Sequence, residues 1–242
     1  MKYNLKYRQF SERSILIVWP SKIDEIILQD VLFFKEVIQN KYIKLKLQVN
    51  NTYNSILIIY PFVIENINGK FLELKALYNS SKSIKKLKST VWEIPVCYDD
   101  EFGFDLELLS KEKSLSKAEI IQRHSQPFYT IFFIGFLPGF LYLGGLDKSL
   151  HFSRKSTPNL NIKKGAVGIG GNQTGIYPKN SPGGWHIIGN SPVDFFDLKS
   201  DEICFAKPGD KIKFQSISKS EFSKISNDIK DGAFRLKSYA YD

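Results

Sequence analysis

Cysteine and histidine are scarce in this chain of 242 residues, which contains two cysteines and three histidines. Cys97 and Cys204 lie far apart in apolar, strand-like contexts, so we expect reduced thiols rather than a disulfide bridge. His124, His151 and His186 are widely spaced and match no zinc motif, so no metal site is predicted. Reduced thiols favour a cytoplasmic location.

Long apolar runs are also missing. Runs such as 130–134 and 56–59 are far shorter than the ~20 residues that a membrane-spanning helix needs. Residues 1–10 lack the apolar core of a signal peptide. Because 43% of the residues are hydrophobic, the chain has enough apolar material for one large or two small domains. We therefore expect a soluble globular protein with no membrane partner.

Several signatures of catalysis and cofactor binding are absent. The sequence contains no G-x-x-x-x-G-K-[ST] phosphate loop, no H-E-x-x-H motif and no G-x-S-x-G nucleophile elbow. The segment 168–173 fails the dinucleotide-binding pattern because Gln173 stands where the third glycine is required. A serine triad is not excluded by residue order alone. The chain thus carries no self-sufficient catalytic signature.

The net charge of +9 raises the question of nucleic-acid binding. The lysines are dispersed along the chain, and their densest cluster is Lys82, Lys85, Lys86 and Lys88. No nucleic-acid-binding motif accompanies them. We interpret the charge as a solvated basic face and predict no nucleic-acid partner.

Residues 1–86 are predicted to form a small N-terminal α+β domain. A strand at 14–19 stops at Pro20, and Ser21 is the predicted cap of a helix over 22–39, whose apolar residues recur at three- and four-residue steps. Two further strands and a second helix are expected at 45–49, 56–60 and 71–78.

A polar segment at 79–83 marks the boundary, and a second domain is predicted over 87–218. Ser116 and Glu119 fit the capping box of a short helix. Strand-like runs with frequent turns then dominate, which is typical of a closed or sandwiched antiparallel barrel. Residues 219–242 are expected to form a C-terminal helical tail. The predicted fold class is therefore α+β.

The stretch 135–192 is the most informative, because it holds twelve of the sixteen glycines and five of the ten prolines. Glycine allows positive φ and close backbone approach, and proline fixes φ, so the cluster specifies shaped loops. Aromatic residues are interleaved with them: Phe136, Phe140, Tyr142, Tyr177 and Trp185. A shaped surface lined with aromatic residues is a candidate binding site.

The same stretch, with residues just before it, carries a series of long irregular motifs. They are His124-Ser125, IGFLPGFLYLGGL at 134–146, Arg154, Thr157-Pro158, GAVGI at 165–169, QTGIYP at 173–178 and SPGGWHIIG at 181–189. In this order they resemble the bacterial family that includes the B subunit of 5-oxoprolinase, allophanate hydrolase subunit 1 and the sporulation histidine-kinase inhibitor. The likeness covers nearly the whole second domain.

This resemblance implies a cyclophilin-like antiparallel β-barrel behind the small α+β domain. It also implies two partners, which are a second cyclophilin-like subunit resembling the C subunit of 5-oxoprolinase and a third protein resembling its A subunit. Such a complex hydrolyses 5-oxoproline to glutamate and consumes ATP, with Mg²⁺ as its counter-ion, so the chain alone is expected to be inactive. The resemblance leaves two alternatives open: an inhibitor of a sensor histidine kinase, and a carboxyltransferase component of an allophanate hydrolase or urea carboxylase.

Two residues in the matching motifs are candidate catalytic residues. His124 matches the family's His-Ser pair and can titrate near neutral pH, which suits proton transfer, although it could instead close a helix C-terminus. Arg154 can bind phosphate or carboxylate with a bidentate fork, although it could instead pair with Asp147. The predicted substrate-binding residues are Gly139, Tyr142, Gln173, Tyr177, Gly183, Gly184 and Trp185.

The other site predictions also have structural alternatives. The glycine-rich loops at 139–145, 168–175 and 183–184 could offer backbone N–H groups to an anion, or could serve the turns alone. The aromatic residues could anchor loops rather than contact substrate. Relative to the family, this chain has Asn159 in place of the usual Arg and Ala166 in place of Ser, and either Lys163 or Lys164 could compensate for the lost cation.

Overall fold

The structure, a computed structural model, describes residues 3–81, 89–199 and 203–241. The chain divides into two compact units, Met1–Leu87 and Lys88–Asp242. The boundary that the sequence predicts after residue 86 lies outside the described residues. Cys97 and Cys204 do not form a disulfide bridge. None of the helices in the described ranges has the length and hydrophobicity to cross a membrane.

The first unit is a four-stranded antiparallel sheet with two helices. Its elements are β1 (Lys6–Ser11), β2 (Ser14–Val18), α1 (Glu25–Lys41), β3 (Gln48–Asn51), β4 (Ser55–Ile59) and α2 (Ile67–Ser80). The strands lie in the order β1-β2-β4-β3. Alternate residues of β2 and β4, such as Ile15 and Ile58, pack against Phe34 of α1 and Leu74 of α2.

Two details of this unit differ from the sequence prediction. Helix α1 begins after Asp24, whose carboxylate accepts hydrogen bonds from the N–H groups of Ile26 and Ile27, so Ser21 is not the cap. Strand β1 was not predicted, because its side chains are almost all exposed and it therefore lacks an apolar alternation.

The second unit combines a β-barrel and a small two-stranded sheet with helices on the outside. Its elements are β5 (Ser89–Cys97), α3 (Leu106–Lys113), α4 (Lys117–Ser125), β6 (Phe128–Ile134), β7 (Leu141–Gly144), β8 (Asn159–Ile162), β9 (Ala166–Gly170), β10 (Gln173–Ile176), β11 (Ser181–Gly183), β12 (His186–Asn190), β13 (Lys211–Ile217), α5 (Lys219–Lys230) and β14 (Ser238–Tyr241). The predicted capping box of Ser116 and Glu119 starts α4.

Seven strands close into the barrel in the order β12-β9-β10-β7-β6-β13-β5, with β5 returning to β12. The predicted α+β fold with a β-barrel is therefore confirmed. One correction concerns strand direction, because β13 runs parallel to β5 while the other pairs are antiparallel. These two strands are far apart in sequence, so no hairpin turn imposes an antiparallel arrangement.

The C-terminal residues are only partly helical. Helix α5 is present as predicted, but β14 pairs with Ser89–Trp92 of β5 and so extends the barrel sheet. Strand β12 reaches β5 at a single residue pair, Asn190 with Cys97, so the first half of β5 has an edge that β14 can occupy.

Strands β7, β9 and β10 separate two apolar clusters. One set of alternating side chains fills the barrel interior: Leu141, Leu143, Val167, Ile169 and Ile176. The outer face of the same strands supports a second cluster, which includes Phe140, Tyr177 and Trp185. The two-stranded sheet of β8 and β11 adjoins this outer cluster through Ile162. Side-chain alternation along the strands thus produces two environments back to back.

Candidate functional site

A cavity of about 360 Å³ opens on the outer cluster of the second unit. Its floor consists of the buried rings of Phe140, Tyr177 and Trp185 with the half-buried Tyr142. Its exposed rim consists of Phe136, Arg154, Pro158 and Pro182, and Lys155, Gly183 and Gly184 complete the lining.

The floor is an edge-to-face arrangement of aromatic rings. Phe140 lies perpendicular to Tyr177 at 5.1 Å between ring centroids, and at 81° to Trp185 at 5.5 Å. Burial raises the pKa of Tyr177 to about 12 and also raises the pKa of Tyr142, so both phenols stay neutral near pH 7. The floor is therefore apolar and uncharged, with phenol hydroxyls as polar groups.

Two glycines of the stretch 135–192 are required because aromatic rings occupy the space that a Cβ atom would take. A Cβ on Gly183 would collide with the Tyr177 hydroxyl, and one on Gly170 would collide with the Trp185 indole. The segment 168–175, predicted as a possible N–H cradle, instead forms the hairpin of β9 and β10, whose backbone pairs within the sheet. In this segment Gly170 and Gly175 thus leave room for the rings of the cavity floor.

Arg154 brings positive charge to the rim. Its guanidinium lies 5.7 Å from the Trp185 ring centroid, and Nη2 donates a hydrogen bond to Oε1 of Gln173 at 3.3 Å. Arg154 forms no ion pair with any carboxylate of the described residues. Asp147, the alternative partner, instead accepts hydrogen bonds from the N–H and hydroxyl of Ser149.

The charge of the neighbouring Lys155 is balanced by an ion pair with a carboxylate. Its Nζ lies 2.7 Å from Oδ1 of Asp105, a largely buried carboxylate that also accepts a hydrogen bond from the Ile187 N–H. Lys164, considered as a replacement for the missing arginine, pairs with Asp194 and does not line the cavity. Arg154 is therefore the lining cation that is left without a carboxylate among the described residues.

The structure brings most of the predicted site residues together. Arg154 and five predicted substrate-binding residues line the cavity: Tyr142, Tyr177, Gly183, Gly184 and Trp185. Gln173 reaches the site through its hydrogen bond to Arg154. Gly139 does not line the cavity, but adopts φ +82° and packs against the backbone of Phe195.

Sequence reasoning left five lining residues out of the predicted site: Phe136, Phe140, Lys155, Pro158 and Pro182. All but Lys155 lie inside the matching motifs, so the signal was present in the sequence. Which of these side chains face outward depends on loop conformation, which the motifs do not reveal.

His124 lies in the barrel core, away from the cavity lining. Its Nδ1 is 2.8 Å from the Tyr98 hydroxyl and its Nε2 is 2.9 Å from Oγ1 of Thr174, while its ring stacks on Phe214 at 4.6 Å. Burial lowers the pKa of His124 to about 3, so the imidazole is neutral near pH 7. A proton-transfer role in the cavity therefore does not fit His124, and neither does a role as a cation at a helix end.

A small α+β unit followed by a closed barrel is the architecture of a carboxyltransferase domain. The solved urea carboxylase of Kluyveromyces lactis has this fold: it superposes with a TM-score of 0.83 at 18% identity, over 98% of this chain and 24% of that one. The chain belongs to the family described as carboxyltransferase domain, subdomain C and D, which matches residues 5–206.

Several curated proteins are similar in sequence. The 5-oxoprolinase B subunit of Bacillus subtilis is 44% identical over 130 residues, which is 54% of each chain. The protein of the same name from Escherichia coli O157:H7 is 40% identical over 151 residues, 62% of this chain and 66% of the relative. The urea amidolyase of Lachancea kluyveri is 23% identical over 199 residues, 70% of this chain and 11% of that protein. The chain thus spans about half to two thirds of the length of the two 5-oxoprolinase relatives.

Proposed function

We propose that this chain is the B-type subunit of a 5-oxoprolinase complex, which hydrolyses 5-oxoproline to glutamate with consumption of ATP. The observation that carries the proposal is the aromatic cavity whose rim cation, Arg154, has no carboxylate partner among the described residues. The sequence similarity to curated 5-oxoprolinase B subunits of two bacteria supports the same assignment.

The chemistry of 5-oxoproline matches the cavity. The molecule is a small lactam ring that contains a planar amide and carries one carboxylate. Arg154 can bind the carboxylate through charge-assisted hydrogen bonds, which are about twice as strong as neutral ones. The apolar floor of Phe140 and Trp185 can hold the ring and exclude water from it.

A resonance-stabilised lactam needs activation before water can open it. ATP supplies the phosphoryl group that converts the lactam oxygen into a leaving group. Water then adds to the carbonyl carbon, and the ring C–N bond breaks as the nitrogen takes up a proton, which leaves an acyl phosphate. A second water displaces phosphate from this acyl carbon and yields glutamate. In this proposal the described residues bind and orient the lactam, while the proton-transfer group comes from elsewhere in the complex, because His124 is buried in the barrel.

Nucleotide chemistry is assigned to the complex as a whole. The described residues contain no group of three or more His, Cys, Asp or Glu side chains that could hold a metal ion. We assign ATP and its Mg²⁺ to the assembly of this chain with its two proposed partners, a cyclophilin-like C-type subunit and an A-type subunit. No step of phosphoryl transfer is attributed to a residue of this chain.

A second candidate function is a carboxyltransferase component that acts on urea or a related amide. It is favoured by the similarity to urea amidolyase and by the family to which the chain belongs. Urea has a planar amide but no carboxylate, so it leaves Arg154 without the anion that the rim favours. This difference makes 5-oxoproline the better match.

The test is ATP turnover by the full chain assembled with its two partner subunits, with and without 5-oxoproline. We expect ADP release that depends on 5-oxoproline and is accompanied by an equal amount of glutamate. A matched comparison with 2-pyrrolidinone, the same lactam without the carboxylate, should give little turnover.

Three results would contradict the proposal. If 2-pyrrolidinone were turned over as fast as 5-oxoproline, then the carboxylate of the substrate would have no role in binding to Arg154. Turnover of urea but not 5-oxoproline in the assembled complex would favour the carboxyltransferase function. If neither compound stimulates ATP turnover, then inhibition of a sensor histidine kinase becomes the function to measure.

A further inference from the structure

We infer that Phe136 is a ligand-binding residue of the cavity, whose ring contacts the lactam from the rim. This inference rests on the proposed function, because it takes the lactam as the ligand. The sequence placed Phe136 on an aromatic surface that is a candidate binding site, but Phe136 was not among the predicted substrate-binding residues.

The backbone of Phe136 is strained. Its φ is +69°, in the left-handed region that a bulky side chain rarely adopts. Among the described residues, Lys46 and Ser114 are the other non-glycine residues with positive φ. Lys46 follows a short 3-10 helix at Ile43–Leu45 and Ser114 follows α3, and a left-handed residue is common just after a helix. Phe136 lies in the loop between β6 and β7, where no helix end accounts for its conformation.

The ring of Phe136 gains little from burial in this chain. Its exposed fraction is 66%, although it lines the cavity and its centroid lies 5.7 Å from that of Phe140, at 86°. An exposed aromatic ring contributes little apolar burial to folding. The strain of the backbone is therefore not offset by packing of the side chain, and strained residues of this kind cluster at ligand-binding sites.

The loop around Phe136 holds the strained conformation in place. The N–H of Gly135 donates to the carbonyl of Phe140 at 3.1 Å, and the N–H of Phe140 donates to the carbonyl of Leu137 at 3.0 Å. Gly139 adopts φ +82° so closely against Phe196 that a Cβ would lie 2.6 Å from the Cβ of that residue. Because both ends of the loop are fixed, the Phe136 ring is held at the cavity rim before any ligand arrives.

The position of the ring suits a flat ligand. Phe136 and Arg154 share the rim, and Trp185 lies in the floor with the guanidinium near its face. A lactam whose carboxylate binds Arg154 would place its ring among these aromatic groups, where stacking and edge contacts are favourable. The Phe136 ring would then exchange its exposure to water for contact with the ligand.

Two variants separate the ring from the backbone strain. Phe136→Ala removes the ring and keeps a Cβ at positive φ, whereas Phe136→Gly removes both the ring and the strain. We expect Phe136→Gly to unfold about 2–4 °C above Phe136→Ala. We expect both variants to raise the KM for 5-oxoproline in the assembled complex by about 3- to 10-fold, with a small change in kcat. Phe136→Tyr, which keeps the ring, should retain the KM of the unmodified protein.

Ser114→Gly provides the matched control, because it relieves a positive φ at the end of α3, away from the cavity lining. It should leave the KM unchanged. If Phe136→Ala and Phe136→Gly both left the KM unchanged in a complex that turns over 5-oxoproline, this inference would be overturned and the proposed function would stand. Absence of 5-oxoproline turnover by the unmodified complex would overturn the proposed function, and the assignment of Phe136 to a lactam with it.

Discussion

The two faces of strand β10 make opposite use of polar side chains. On the inner face, Thr174 is buried and its hydroxyl contacts His124, which also contacts Tyr98. On the outer face, Gln173 accepts a hydrogen bond from the exposed Arg154 beside the aromatic cavity. The inner groups satisfy one another, whereas the outer cation has no carboxylate partner among the described residues.

This contrast separates the two residues that were predicted to be catalytic. His124 and Arg154 both fall in motifs that match the family, and the resemblance alone did not distinguish their roles. A fully buried histidine with partners on both ring nitrogens stabilises the barrel, because each hydrogen bond satisfies a group that has lost contact with water. An exposed arginine above aromatic rings is available to bind an anion.

The largest expected effect is a loss of stability in His124→Ala. The substitution leaves a cavity in the barrel and removes a partner from the buried hydroxyls of Tyr98 and Thr174. We expect the free energy of unfolding to fall by about 3 kcal/mol. Urea denaturation of the full chain measures it. His151→Ala is the control, since His151 is only half-buried and contacts a single carbonyl, and it should cost less than about 1 kcal/mol.

An unchanged stability of His124→Ala would contradict the contrast between the two faces of β10. If the variant kept the stability of the unmodified chain but its complex lost turnover, then His124 would act in catalysis and the inner face of β10 would not be purely structural.

Arg154→Ala is expected to act on ligand binding instead of stability. Loss of a charge-assisted contact to the substrate carboxylate should lower kcat/KM for 5-oxoproline by about 30-fold, equivalent to about 2 kcal/mol. The free energy of unfolding should change by less than about 0.5 kcal/mol, because the side chain is exposed. Steady-state turnover by the assembled complex and urea denaturation of the chain provide the two measurements.

Arg235→Ala is the matched control for this prediction. Arg235 is also an exposed arginine of the second unit, but it contacts backbone carbonyls of its own segment and lies outside the cavity lining. It should leave kcat/KM unchanged. A similar loss in both arginine variants would mean that Arg154 contributes only general positive charge.

The sequence predicted the architecture well because its patterns report burial. The apolar spacing of α1 and the capping box of α4 each depend on neighbours within a few residues, so both were found. The exposed β1 and the pairing of β14 with β5 were missed. The first has no apolar alternation, and the second depends on which edge the barrel leaves open.

The site was predicted only in part, for a related reason. Motif resemblance correctly selected Arg154 and Trp185 as neighbours, since both lie in the shaped loops. Motif resemblance could not tell that the His124 side chain points into the barrel core, because its direction depends on how α4 packs against the barrel. It also did not single out Phe136, whose importance comes from a backbone angle that no composition or spacing encodes.

The smallest expected effect is a change in how stability depends on pH. Burial lowers the pKa of His124 to about 3 in the folded chain, while the unfolded chain titrates near 6.5. Below pH 6.5 the unfolded state therefore binds a proton that the folded state does not, so the free energy of unfolding falls as the pH falls from 6.5 towards 3. This penalty should reach about 1 kcal/mol between pH 6.5 and 5.5.

His124→Gln cannot titrate, so its free energy of unfolding should fall by about 1 kcal/mol less than that of the unmodified chain over this interval. Urea denaturation at the two pH values measures the difference. The burial-lowered pKa of His186 adds to the slope in both proteins and cancels in the comparison. Equal slopes would show that His124 titrates with the same pKa in the folded and the unfolded chain, which would return it to the groups able to transfer a proton near neutral pH.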